Sequence, residues 1–133
     1  MATVHRKLGN LKDAEESYKQ ALHLDPESKT NKSNLVTFYM MLGLADARQG
    51  KIQSAETFMR KALAQALQSA KVLYNLAVFY QSQKRLQEAI KLLHAAREIR
   101  PHRDILSLLA VLLRQVGDHA ASQAIEKELG PQR

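Results

Sequence analysis

The 133-residue chain has no cysteine and no tryptophan, and only 5% of it is aromatic. The missing cysteines exclude disulfides and thiolate chemistry, and are compatible with either redox compartment. There is no run of about 18 apolar residues, so nothing spans a membrane as a helix. The first residues, Met1-Ala2-Thr3-Val4-His5-Arg6-Lys7, lack the apolar core of a signal peptide, and a cytoplasmic location is expected. The five glycines form no phosphate-binding loop. Neither a H-E-x-x-H pair nor a nucleophile elbow is present. His94 and Glu98 stand i,i+4 and could share a face, but no third metal ligand accompanies them. No catalytic residue, metal or cofactor is therefore expected.

What is present is helix-forming sequence, with Ala, Leu, Gln, Lys and Glu dominant and no β-branched run. The stretch Leu73 to Pro101 is the clearest case. Leu73, Leu76, Ala77 and Tyr80 fall at i, i+3, i+4 and i+7, one face of a helix. Leu86, Ala89, Ile90, Leu93, Ala96 and Arg97 do the same after the polar break Gln83-Lys84-Arg85. Pro101 closes the second helix, because proline cannot continue the backbone ladder and restricts the residue before it.

This two-helix pattern recurs. Ala14, Ala55 and Ala89 are each followed seven residues later by Ala21, Ala62 and Ala96. Ala55 to Ala89 is a step of 34 residues, Ala89 to Ser122 a step of 33, and Ala14 to Ala55 one period plus seven. A period of 34 with two helices per unit resembles the tetratricopeptide repeat. One copy supplies Leu73, Leu76, Ala77, Tyr80, Ala89, Leu93 and Pro101; the copy before it supplies Tyr39, Leu42, Gly43, Asp46, Ala55, Met59 and Leu67. An ordinary bundle shares the helical periodicity, but not this fixed register. The resemblance implies an all-α right-handed α-solenoid of antiparallel helix pairs, about three and a half repeats in a single domain.

Taken in order, residues 1–28 read as a truncated unit. The tail of one helix is followed by a second over Asp13 to Leu24, with Asn10 as its cap and Glu15–Lys19 as an i,i+4 pair. Residues 29–35 read as an inserted polar loop holding the seven extra residues, with helix starting near Ser33 at the earliest. Three units follow, at 36–69, 70–102 and 103–129. The segment 64–69 lacks a closing proline, so the helix Ile52 to Gln65 is expected to run on. Asp118 is the expected cap of the final helix, which reads as the array's C-terminal cap.

The formal charge of +7 sits in the middle of the chain. Residues 29–69 and 70–101 each carry six basic and two acidic groups, while the two ends nearly balance. That favours an acidic partner. The basic groups are scattered among glutamines without interleaved aromatics, which argues against nucleic acid.

In arrays of the resembled family the first helix of each unit lines a concave groove. The groove residues that the resemblance implies are Met40, Leu44 and Arg48, then Lys71, Tyr74, Asn75 and Val78, then Arg114. Met40 and Leu44 would be apolar floor, Tyr74 and Asn75 central contacts, and Arg48, Lys71 and Arg114 contacts to an acidic partner. Asn75 matches one position of the clamp by which some members hold a chaperone tail. Met40, Leu44, Asp104 and Leu108 stand where that clamp needs cations, so a chaperone tail is not expected. The implied function is a non-catalytic scaffold or adaptor binding a partner peptide or helix. The alternatives are self-assembly through an open N-terminal edge, on another copy or on a parent chain, and RNA binding by the basic central repeats.

Overall fold

The computed structural model describes the backbone of residues 2–130 and the side chains of residues 10–130. These residues form seven α-helices and no strand: α1 (Ala2–Leu24), α2 (Lys29–Arg48), α3 (Ile52–Gln65), α4 (Ala70–Ser82), α5 (Leu86–Ile99), α6 (Arg103–Gln115) and α7 (His119–Leu129). None of them is long and apolar enough to cross a membrane. The chain divides into two compact units, Met1–Ala66 with α1 to α3 and Leu67–Arg133 with α4 to α7.

In the first unit α2 and α3 form a tightly packed hairpin. Its core is Leu35, Tyr39 and Met40 from α2 against Ala55, Met59 and Ala62 from α3. Gly43 sets the closeness of the two axes. A Cβ placed there would stand 2.7 Å from Met59 Cγ and 3.2 Å from the Ala55 carbonyl oxygen. The register that gives Gly43 places Ala77 in α4 and Ala110 in α6, both buried. The facing register gives Ala55, Ala89 and Ser122. Ser122 is the one buried polar side chain among the described residues, and its hydroxyl donates to the Ala110 carbonyl at 2.8 Å. The small residues of the repeat are therefore where paired helices approach.

Each hairpin closes with the same turn. The backbone N–H of Lys51 donates to the Asp46 carbonyl at 2.8 Å, Arg85 to Tyr80 at 2.9 Å and Asp118 to Leu113 at 2.9 Å. This bond requires a left-handed residue just before the donor. Gly50 and Gly117 meet the requirement with φ of 78° and 88°. In the middle hairpin Lys84 takes that conformation with φ of 61°, at a cost of about 1–2 kcal/mol for an L-residue.

In the second unit α4 packs on α5, α5 on α6, and α6 on α7. Leu76, Tyr80, Leu93, Leu109 and Leu112 are among its fully buried side chains, each contributing about 1.5–3 kcal/mol by burial. Arg97, on the inward stripe of α5, pairs with Glu128 of α7 at 2.6 Å. Arg100 is extended before Pro101, as a residue preceding proline must be. Asp118 caps α7, accepting from the Ala121 N–H at 3.2 Å.

Three boundaries differ from those expected. Residues 29–35 are helix, not a loop. Ser28 caps α2 by accepting from the Asn31 N–H at 3.1 Å, and the Asn31 amide donates to the Ala21 carbonyl of α1 at 3.0 Å. The helix α2 has 20 residues where α4 and α6 have 13, so the seven extra residues are two added turns at its start. Asn10 is not a cap, because α1 runs through it unbroken. The helix α3 does not run on. It stops at Gln65, and Ser69 starts α4 by accepting from the Val72 N–H at 3.2 Å, so a cap serine does what proline does at the next boundary. The side chains of residues 1–9, on which the expected stacking edge depends, lie outside the described residues.

The helix α1 is held to the α2–α3 hairpin by a polar tie as well as by Tyr18 against Phe38, whose ring centroids are 5.1 Å apart. The Tyr39 hydroxyl donates to Glu15 Oε2 at 2.7 Å, and Lys61 of α3 and Lys19 stand 3.6 and 3.4 Å from the same oxygen. The hydrogen bond from Tyr39, aided by the two lysines, holds the Glu15 carboxyl below its ordinary pKa against its partial burial. Burial, then the Glu15 carboxylate, pushes the Tyr39 phenol well above its own.

Two outcomes follow. Gly43→Ala should lower the melting temperature, since overpacking costs about 1–3 kcal/mol and the helix-propensity gain returns only about 1. Adding Met59→Leu reproduces the Ala77 and Leu93 combination of the next hairpin and should recover most of the loss; a double variant no better than the single one refutes the close-approach account. Tyr39→Phe should cost about 1–3 kcal/mol at neutral pH. A depressed carboxyl pKa stabilises above the unfolded value and is lost as pH falls through the folded one. The gap between wild type and Tyr39→Phe should therefore narrow below about pH 4; denaturant melts across that range would detect a gap that stays constant.

Candidate functional site

The helix α4 turns Leu73, Leu76, Ala77 and Tyr80 inward. That leaves Lys71, Tyr74, Asn75 and Val78 on its other side. Lys71 is exposed, Tyr74 and Asn75 are half-buried, and Val78 is 40% exposed. Among the described residues Lys71 has no ion pair, and neither the Asn75 amide nor the Tyr74 hydroxyl has a hydrogen-bond partner in the chain. Val78 has register partners at Leu44 in α2 and Val111 in α6, which are 38% and 43% exposed. An apolar side chain left in solvent at one register position of all three first helices is a pattern that core packing does not require.

In the first unit Leu44 and Arg48 are exposed as expected, and Met41 beside them is 65% exposed. Met40 is not. It is buried with Leu35, Tyr39 and Gly43, because it stands three residues before Gly43 and so on the face that meets α3. It is core and offers no floor to a ligand. A cleft of about 290 Å³ on this unit, lined in part by Leu42, Phe58, Lys51 and Lys61, has its carboxylates already engaged. Asp46 accepts from Ser54, and Glu15 accepts from Tyr39.

Arg114 is exposed but committed, paired with Glu126 of α7. Glu126 stands in the register of Met59 and Leu93, which are wholly buried in the other hairpins. The pair flanks a cleft of about 520 Å³ with Val111 and Leu129.

A smaller cleft of about 220 Å³ opens between α4 and the start of α6. Ala70, Lys71 and Tyr74 line it from α4, Arg100 and His102 from the α5–α6 connection, and Asp104 and Ile105 from α6. His102 caps α6, its Nδ1 accepting from the Asp104 N–H at 3.1 Å, which fixes the ring at the cleft mouth. The sequence pointed to Lys71 and Tyr74 here, and missed Arg100, His102 and Ile105. The first two stand outside the regular helices to which the reading was confined. Pro101 was the available signal, since it forces Arg100 extended beside the next helix start.

Chemically these surfaces offer exposed apolar side chains, one free amide and unpaired cations.

Comparison with known proteins accords with this geometry. A sequence model described as tetratricopeptide repeat matches residues 46–112, and a second of the same description matches residues 1–28. No curated protein matches the chain. Among solved structures, a tetratricopeptide repeat protein from Parabacteroides merdae ATCC 43184 is 25% identical with a TM-score of 0.65, over 90% of this chain and 45% of its own. The chain thus spans less than half of that protein's length. A MamA structure is 18% identical with a TM-score of 0.66, over 93% of this chain and 89% of its own. PilF of Pseudomonas aeruginosa is 25% identical with a TM-score of 0.64, over 96% of this chain and 55% of its own. The likeness establishes the fold class expected from the sequence, an all-α helical-repeat solenoid.

Since Arg48 and Lys71 are exposed and have no ion pair among the described residues, replacing either by alanine should move stability by no more than about 0.5 kcal/mol. Arg114→Ala, which breaks an exposed pair, should cost no more than about 1 kcal/mol. Urea melts showing losses well beyond these would mean that the three side chains support the fold and are not free to serve a ligand.

Proposed function

The chain belongs to the tetratricopeptide repeat family, and from that premise we propose that it is a non-catalytic protein-binding module. Its partner contributes a peptide or short helix, which lies on the exposed faces of the first helices of the repeats. The repeats are read as 36–69, 70–102 and 103–129, preceded by the partial unit 1–28. One observation carries this reading: Leu44, Val78 and Val111 stay exposed at a single register position of the three first helices, with exposed Met41 beside Leu44. Around them Tyr74 supplies an aromatic anchor, Asn75 a free amide able to hold a backbone by two hydrogen bonds, and Arg48 and Lys71 unpaired charge. Arg114 is a weaker contact than its sequence position suggests, because a partner must compete with Glu126 for it. Met41, with its adaptable thioether, replaces Met40 as apolar floor.

The test is a paired capture from nuclease-treated lysate. One bait is the wild-type chain. The other carries Arg48→Glu, Tyr74→Ala and Asn75→Ala, with equal helicity verified by circular dichroism. A protein held by wild type and lost from the variant is the expected result. Equal capture by both baits would refute binding on these faces, and loss of every partner on nuclease treatment would replace a protein partner with RNA.

A further inference from the structure

We propose that the cleft between α4 and the start of α6 is the anchoring point for an acidic segment of a partner protein. It takes one large apolar side chain of that segment and sets flanking carboxylates on Lys71 and Arg100. The inference rests on the first-helix reading given above and adds to it the partner's chemistry.

Size comes first. Small-molecule and cofactor sites occupy about 300–1,000 Å³. At about 220 Å³ the cleft is smaller and holds one side chain. Its floor is apolar: Ile105 is 4% exposed, with Ala70 and the ring of half-buried Tyr74 beside it. An ion without an apolar body would leave that floor in water.

Charge comes second. Lys71 and Arg100 are exposed at the rim, Arg103 begins α6 next to them, and none of the three has an ion pair among the described residues. Asp104 is the one carboxylate lining the cleft. Its single charge offsets one of the two cations that line the cleft, Lys71 and Arg100, and the lining stays net positive. A basic segment would meet this cationic rim with like charge. A purely apolar segment would cover cations without pairing them, which is costly. An acidic segment with one apolar anchor satisfies both halves of the site. The Tyr74 hydroxyl, without a hydrogen-bond partner among the described residues, can take a hydrogen bond from the segment's backbone or give one to it.

The probe is a fluorescein-labelled nine-residue peptide, one phenylalanine with four glutamates on each side, followed by anisotropy against the full chain. Wild type should bind it at least about tenfold more tightly than versions with alanine for the phenylalanine or lysines for the glutamates. Binding should weaken as salt is raised. The double variant Lys71→Glu with Arg100→Glu should lose at least about tenfold, while Lys91→Glu, an exposed cation of α5 outside the cleft, should stay within about twofold. No preference for the acidic phenylalanine peptide, or equal binding by the double variant, overturns the proposal. Loss in Val78→Asp but not in the double variant overturns the cleft and leaves the first-helix reading standing. A labelled nine-nucleotide RNA that binds more tightly than the peptide, and is lost in the double variant, overturns it in favour of nucleic acid.

Discussion

The close approach of two helices within each hairpin is the constraint that the rest of the structure obeys. It needs a glycine or alanine at one register position and an alanine or serine at the facing one, and Gly43, Ala77, Ala110, Ala55, Ala89 and Ser122 are what the chain supplies. With small residues at the crossing, larger side chains interlock on either side. The faces pointing away are then left with nothing to pack against. The exposure at Leu44, Val78 and Val111 is a consequence of that geometry, whereas their apolar character is not: a first helix committed on one side to its partner presents the opposite side to solvent at the same position each time.

Within this scheme the two units differ in how their helices are fastened. The α4–α7 unit is held by continuous apolar packing, with two ion pairs onto α7, from Arg97 to Glu128 and from Arg114 to Glu126. The α1 helix depends more on polar groups: the carboxylate of Glu15 serves Tyr39 and two lysines, and Asn31 reaches the end of α1. Fastening of this kind is sensitive to protonation in a way that alanine packing is not. The left-handed Lys84, in a place where the other hairpins have glycine, marks the middle hairpin as the one whose surroundings sustain a conformation its own side chain disfavours.

Much of this architecture was legible in the residues. Spacing of apolar positions, with the turn residues between them, gave α4, α5 and α7 their bounds and α3 its start at Ile52. The alanine register gave the repeat. Reading failed where polar residues form helix for tertiary reasons. Residues 29–34 have no apolar stripe, and they are helical because Ser28 and Asn31 tie that segment's start to itself and to α1. Met40 was misplaced because a first helix buries two adjacent residues at its crossing, and periodicity alone does not say on which side of the boundary each falls. The cleft beside α6 was half legible. Lys71 and Tyr74 lie on a helix, whereas Arg100 and His102 enter it from a connection whose path only the fold defines.

The two added turns of α2 bear on how such a chain can change length. Each residue added at the start of α2 rotates what precedes it by about 100° about the helix axis, so one, two or three would swing α1 away from Phe38 and Tyr39. Seven residues make nearly two whole turns and return α1 to within about 20° of its old direction. The hairpin could therefore grow by seven and keep α1 on the same face. Length in this architecture is quantised: turns added to the start of a first helix leave its crossing with the next helix untouched, and keep the preceding helix in contact only when they come in sevens or in steps small enough for a cap to absorb.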